Sequence, residues 1–162
     1  MISSIITTIL FMFSFLIFSR YLIHLYYKSR RKLLFNQIGG KDFIEIKNIP
    51  TEIYSKTKTS FSWKDYTSNI ILLDDALLIL LRNSILNGLI TQNQSIIQIS
   101  KTENNRKQPG VERVYFIEKK EFRGNKICFH SSQKVIVTAK IEITLNFKGN
   151  IEQLDNVKKY VD

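Results

Sequence analysis

Residues 2 to 19 (ISSIITTILFMFSFLIFS) carry no charge, and beyond Arg20 the chain stays apolar through YLIHLYY. A helix rising about 1.5 Å per residue needs about 20 such residues to cross a hydrocarbon layer of about 30 Å. Residues 2 to 22 meet that length. The hydroxyls of Ser3, Ser4, Thr7, Thr8, Ser14 and Ser19 are admissible there, because each can bond back to a helical carbonyl. A cleavable signal peptide would need basic residues before its apolar core and small residues after it. The order here is reversed, since no Lys or Arg precedes Arg20 and the candidate cleavage region reads Tyr, Leu, His, Tyr. The expectation is one uncleaved transmembrane anchor over residues 1–27.

The charge distribution then sets the orientation. Lys28, Arg30, Arg31 and Lys32 follow the span directly, and basic flanks are retained on the cytoplasmic side. The N-terminus is therefore expected outside and everything after Lys28 inside. Arg20, with a stem long enough to reach the headgroups, joins Tyr21, Tyr26, Tyr27, Lys28, Arg30, Arg31 and Lys32 as the expected membrane-interface residues. Five of the 24 basic residues lie before position 33 with no acidic residue among them, leaving 19 basic against 14 acidic in the rest. That excess is mild, and juxtamembrane cations each contribute about 1 kcal/mol on anionic lipid. The basic flank is therefore expected to reinforce the anchor on membrane lipids, and the net charge of +10 does not require nucleic acid.

Residues 28–42 read as a basic juxtamembrane segment and linker, ending in Gly39-Gly40 and allowing the rest to swing. From about residue 43 the hydrophobic period changes to two. In VIVTAKIEITLNF (135–147) every odd position is apolar and most even ones are polar, the pattern of a long strand with one buried face. Ile44 and Ile46 against Glu45 and Lys47 suggest a first strand, followed by a short turn at Asn48-Ile49-Pro50-Thr51-Glu52. Alternation resumes from Ile53 to Trp63.

The stretch NIILLDDALLILLRNSILNGLI has two readings. As strands, two apolar runs flank a turn at Asp74-Asp75. As a helix over 74–90, an Asp caps a segment in which Leu77, Leu81, Ile85 and Leu89 recur every fourth residue. The strand pair is favoured, because Ala76 to Leu81 is a run of ordinary strand length and Asn83, Asn87 and Gly88 interrupt a long helix. SIIQIS (95–100) adds a strand, and KTENNRKQPG (101–110) reads as an exposed loop. VERVYFIEKKEF, a turn at Arg123-Gly124-Asn125 and KICFH together suggest a hairpin. Asn150 caps a last helix, 150–161, with Gln153 as its capping-box partner and Ile151, Leu154, Val157 and Val161 as its apolar stripe.

The fold class expected is thus an N-terminal transmembrane helix followed by a mainly-β domain, residues 43–162, with α+β and a helix at 74–90 as the alternative. About seven strands and then one amphipathic helix resemble the element order of a pleckstrin-homology-like barrel. The stretches IILLDDALLILL and LITQNQSIIQIS resemble bacterial and GRAM-type members in particular. The resemblance implies that IEQLDNVKKYV plugs one end of the barrel. The basic loop between the first two strands that serves the family's best-known lipid sites has no counterpart in Asn48 to Glu52, so phosphoinositide recognition is not implied.

Chemistry-bearing constellations are sparse. Structural zinc wants four Cys or His ligands, and only Cys128, His24 and His130 exist. Cys128 and His130 share a strand face but have no orienting acid or oxyanion pocket in sequence reach. Asp74 and Asp75, adjacent on a turn, do not converge. No phosphate-cradling glycine motif occurs. Arg113, Tyr115, Phe116, Lys119, Lys120, Phe122 and Arg123 mix charge with aromatics as a single-strand nucleic-acid platform would, but Glu112, Glu118 and Glu121 are interleaved. Trp63 is expected in the core. No catalytic, cofactor or metal residue is assigned, and no cofactor is expected. The function expected is a membrane-anchored, non-enzymatic interaction module whose cytoplasmic domain binds a protein partner or the inner leaflet. A membrane-tethered enzyme with a loop-borne site is the competing expectation.

Overall fold

A strand whose side chains are apolar on both faces must be covered on both, and that requirement organises this molecule. The computed structural model describes residues 2–74, 76–85, 90–100, 106–134 and 138–161. It consists of a long helix α1 (Ile2–Ile38), eight strands and a short helix α2 (Ile151–Val161). The strands are β1 (Ile44–Lys56), β2 (Phe61–Leu72), β3 (Leu77–Ile85), β4 (Ile90–Ser100), β5 (Arg113–Phe116), β6 (Lys119–Arg123), β7 (Lys126–Lys134) and β8 (Thr138–Asn146). They form one curled sheet in the order β5-β4-β3-β2-β1-β8-β7-β6.

Residues 70–72 end β2 and 77–81 begin β3, and Leu73 N donates to Ala76 O at 2.9 Å between them. The alternative helix at 74–90 is excluded by β3, although Asp75 and residues 86–89 lie outside the described residues. Ile70, Leu72, Leu77, Ile79 and Leu81 face the concave core, together with Ile143 and Leu145 of the alternating β8 and Leu154, Val157 and Val161 of α2. Ile71, Leu73, Leu78 and Leu80 point the other way, into a second core with Ile96, Val111, and Leu34 and Ile38 of α1.

That second core changes the reading of 28–42 as a juxtamembrane segment and linker. The helix continues without interruption to Ile38, where Leu34 and Ile38 are both 0% exposed. It ends only at Gly39, whose N–H donates to Phe35 O at 2.9 Å. The buried outer face of β2 to β4 supplies the physical reason, because without α1 it would lie open to water.

Three local expectations also change. Residues 48–52 are not a turn but part of β1, where a register shift between Ile46 and Ile49 accommodates Asn48 at φ 60°, a conformation that Asn tolerates better than most residues. The turn lies at 57–60 instead, where the Thr57 hydroxyl accepts from Ser60 N at 3.0 Å and Thr59 N at 3.3 Å. The segment 111–123 is not one hairpin arm, since β5 pairs parallel to β4 while β6 pairs antiparallel to β7. The chain crosses between the two edges of the curled sheet at Ile117, which donates to Ser100 O at 3.1 Å, and Glu118, which donates to His130 O at 2.9 Å. Finally, residues 106–110 are pinned rather than loose: Gln108 is buried and its N–H donates to the Gln98 side-chain oxygen at 2.8 Å. Residues 101–105 and 135–137 lie outside the described set.

In α2, Asn150 Oδ1 accepts from Gln153 N at 3.2 Å, as an N-cap should. Asn150 N itself donates to Phe147 O at 2.9 Å, and Ile151 is 66% exposed rather than part of the buried stripe.

Candidate membrane-interface site

Every i, i+3/i+4 step along the far half of α1 returns to the same side. His24, Tyr27, Arg31, Leu34 and Ile38 have that spacing and form the side turned to the sheet, with the first three half-buried and the last two fully buried. The expected interface residues therefore divide. Arg20, Tyr21, Tyr26, Lys28 and Lys32 are exposed. Arg30 lies back along the helix, its Nε and Nη2 donating to Tyr26 Oη at 3.0 and 2.9 Å and its guanidinium 5.3 Å from that ring's centroid. Tyr26 in turn meets Tyr27 edge-on at 5.3 Å.

Arg31 belongs to the docking contact rather than to the exposed belt. Its Nη2 donates to Leu81 O at 2.6 Å across the helix–sheet seam. Burial, reinforced by neighbouring Arg82, lowers its pKa to about 10, so it stays charged at physiological pH. A second tie between helix and sheet runs from Gln92 Nε2 to the Arg20 carbonyl at 3.4 Å. This places the start of β4 beside the end of the apolar span.

Strand direction carries that placement across the sheet. The paired ends Ile85 with Ile90, Lys56 with Phe61 and Lys134 with Thr138 all lie at one end, and α2 lies at the other, beside Asp42, Ile44, Leu72 and Leu73. At the span-side end, Phe61 and Trp63 are 76% and 65% exposed, flanked by exposed Lys56, Lys58 and Lys64. Trp63, expected in the core, instead sits on the convex face opposite Tyr54, its Nε1 donating to Asp65 Oδ1 at 3.1 Å. Convexity explains the difference: odd residues of β2 face outward, and α1 covers only those toward its Leu72 end.

At the same end a cavity of about 270 Å³ opens on the concave side, with Tyr27 of α1 on its rim. Tyr27, Lys64, Tyr66, Glu112, Arg113 and Tyr115 line it, with Ser55, Ser62, Gln94 and Ser95. Arg113 Nη1 donates to Tyr115 Oη at 3.5 Å, and that bond, with nearby Tyr115 and Glu112, holds the guanidinium above its usual pKa. Burial raises Tyr66, which stays a neutral hydroxyl.

The other constellations do not assemble. Cys128 is buried and accepts from Thr144 Oγ1 at 3.4 Å, while His130 lies between Glu121 and Glu142 at 3.6 and 3.7 Å. Among the described residues no group of three or more His, Cys, Asp or Glu is placed to hold a metal ion. Asp74 is exposed at its turn. The basic and aromatic residues from 113 to 123 are divided between opposite sheet edges, and Glu121 engages Lys119 at 2.8 Å and Arg123. Hydrogen bonds from those two cations hold the Glu121 carboxyl down to about 2.

No family model, curated protein or solved structure matches the chain. Its own geometry is thus the basis for a functional reading. The cavity was not visible in sequence, because its lining comes from one residue of α1 and from strands far apart in the chain. The helical stripe was accessible in principle, through the spacing of positions 27, 31, 34 and 38.

Proposed function

We propose that this chain is a membrane-anchored, non-enzymatic interaction module whose pleckstrin-homology-like barrel is held against the leaflet its anchor enters. The single observation that carries the reading is the unbroken helix: α1 leaves the apolar span and enters the outer core of the sheet without a hinge. A domain meant to search the cytoplasm for partners gains reach from a flexible tether. One docked on its own anchor is restricted to the membrane surface. The exposed Phe61 and Trp63 among lysines at the span-side end support the same reading, since aromatics and cations suit the headgroup layer. The curled meander and the terminal helix joined to its concave core support the pleckstrin-homology-like assignment. The cationic flank 28–32 supports a cytoplasmic barrel.

Trp63 is the only tryptophan in the chain and reports on the placement directly. With the full chain in proteoliposomes, lipids brominated near the headgroup end of the acyl chain are expected to quench its fluorescence relative to unbrominated vesicles. Unchanged emission would show that this end stands clear of the bilayer. It would favour the second reading, in which the Tyr54 and Trp63 face receives a protein partner. Orientation has its own test. In intact cells of a Cys128→Ser background, a membrane-impermeant thiol reagent should fail to label Cys introduced by Lys58→Cys, an exposed hairpin position. Labelling there would put the barrel outside.

A further inference from the structure

The cavity beside Tyr27 has a depth, a charge and a size, and the three agree. Tyr27 lies five residues beyond Leu22, about 7.5 Å along a helix that rises about 1.5 Å per residue. The headgroup layer outside each hydrocarbon face is about 5 to 7.5 Å thick. With Gln92 bonded to the Arg20 carbonyl at the hydrocarbon boundary, the cavity mouth sits at headgroup depth. Its lining brings Arg113 and Lys64 together from different strands. Among the described residues neither is engaged in an ion pair, whereas Lys47, Lys119, Arg123, Lys126 and Lys158 each sit beside a carboxylate. Tyr27, Tyr66 and Tyr115 add aromatic hydroxyls to the wall. Glu112 also lines it, leaving the ionisable side chains of the lining with one net positive charge.

We infer that this cavity binds the phosphodiester of a phospholipid headgroup drawn from the leaflet in which α1 is anchored, with Arg113 and Lys64 contacting the phosphate and the tyrosine hydroxyls orienting it. One net positive charge matches the single negative charge of a phosphodiester better than the nearly two charges of a free phosphate or phosphomonoester. Arg113 presents the planar fork that pairs with phosphate oxygens. A volume of about 270 Å³ lies just below the roughly 300 Å³ at which small-molecule sites begin, so it takes a headgroup and leaves the acyl chains in the bilayer. The inference rests on the leaflet-held placement proposed above and deepens it from a surface contact to a site.

Native mass spectrometry of the full chain in non-ionic detergent, titrated with phosphatidylglycerol, tests it. One phospholipid per chain is expected to bind the unmodified protein. Arg113→Gln is expected to weaken that binding about tenfold or more, as loss of a charge-assisted hydrogen bond should. Lys64→Gln should weaken it less. Lys148→Gln, an exposed position outside the cavity, removes the same charge and should leave binding unchanged. Arg113 is itself exposed at a sheet edge, so its replacement should not unfold the domain. Equal binding by Arg113→Gln, or equal loss in Lys148→Gln, would overturn the site. Displacement of the lipid by an equal concentration of inorganic phosphate would overturn the lipid as its occupant. Trp63 quenching by brominated lipid separates this inference from the reading beneath it. It should be the same in Arg113→Gln as in the unmodified chain, and its absence from both, with the lipid adduct intact, would sink the placement while leaving the site standing.

Discussion

A chain beginning at Lys41 is expected to aggregate, and one beginning at His24 to stay monomeric, even though the residues removed between them belong to no strand. Both lack the apolar span, so the difference isolates the docked half of α1. Leu34 and Ile38 are 0% exposed, and burying each side chain is worth about 1.5–3 kcal/mol. Against a total stability of about 5–15 kcal/mol for a domain, losing both removes a large share. The second consequence concerns solubility. Ile71, Leu73, Leu78, Leu80 and Ile96 would become a contiguous apolar face on the outside of the sheet, and patches of that kind associate. Size-exclusion chromatography and urea unfolding of the two chains check this. A Lys41 chain that elutes as a monomer and unfolds at the same midpoint as the His24 chain would show that the helix merely lies near the sheet.

The same outer face marks the boundary of what sequence alone made legible. The strand character of 70–72, 77–81 and 138–146 was readable because side-chain alternation, or its replacement by a short unbroken apolar run, is a local property. The cap at Asn150 was readable for the same reason. An unbroken run such as ALLILL also implies a second covering layer, but nothing local says what supplies it. The covering stripe of Tyr27, Arg31, Leu34 and Ile38 is masked in two ways. Its first members sit at the edge of a segment already apolar all round, and one of its four positions is an arginine. Arg31 reads as part of a cationic flank until the Leu81 carbonyl is found 2.6 Å away. The separation of β5 from β6 was hidden for a different reason. Strand alternation in 113–123 is identical whether the two segments pair with each other or with opposite edges, and only the curl of the whole sheet decides. The cavity follows from that curl and from the helix docking together. Its lining residues become neighbours only once both are in place.

Gly110→Ala is expected to destabilise the protein by about 3–5 kcal/mol, far more than an exposed loop position ordinarily costs. Gly110 has φ +80°, and a Cβ built there would lie 2.4 Å from Arg30 O and 3.3 Å from Leu34 N. Both atoms are backbone of α1, so no side-chain rotation relieves the contact. The left-handed conformation alone costs a residue with a Cβ about 1–2 kcal/mol. The remainder comes from the helix, which must retreat from the 106–111 segment and so loosen Leu34 from Val111 and Leu78 in the outer core. Gly149→Ala is the control. Gly149 has φ +85°, but its nearest neighbour to an added Cβ is the Asn125 side chain at 3.8 Å, so only the conformational cost applies. Thermal unfolding of the two full-length variants in the same detergent should therefore separate them, with Gly110→Ala melting well below Gly149→Ala. Equal shifts would mean that the close approach of the loop to α1 contributes nothing to stability. The helix would then be free to leave the sheet, and the barrel would be tethered to the membrane rather than held against it.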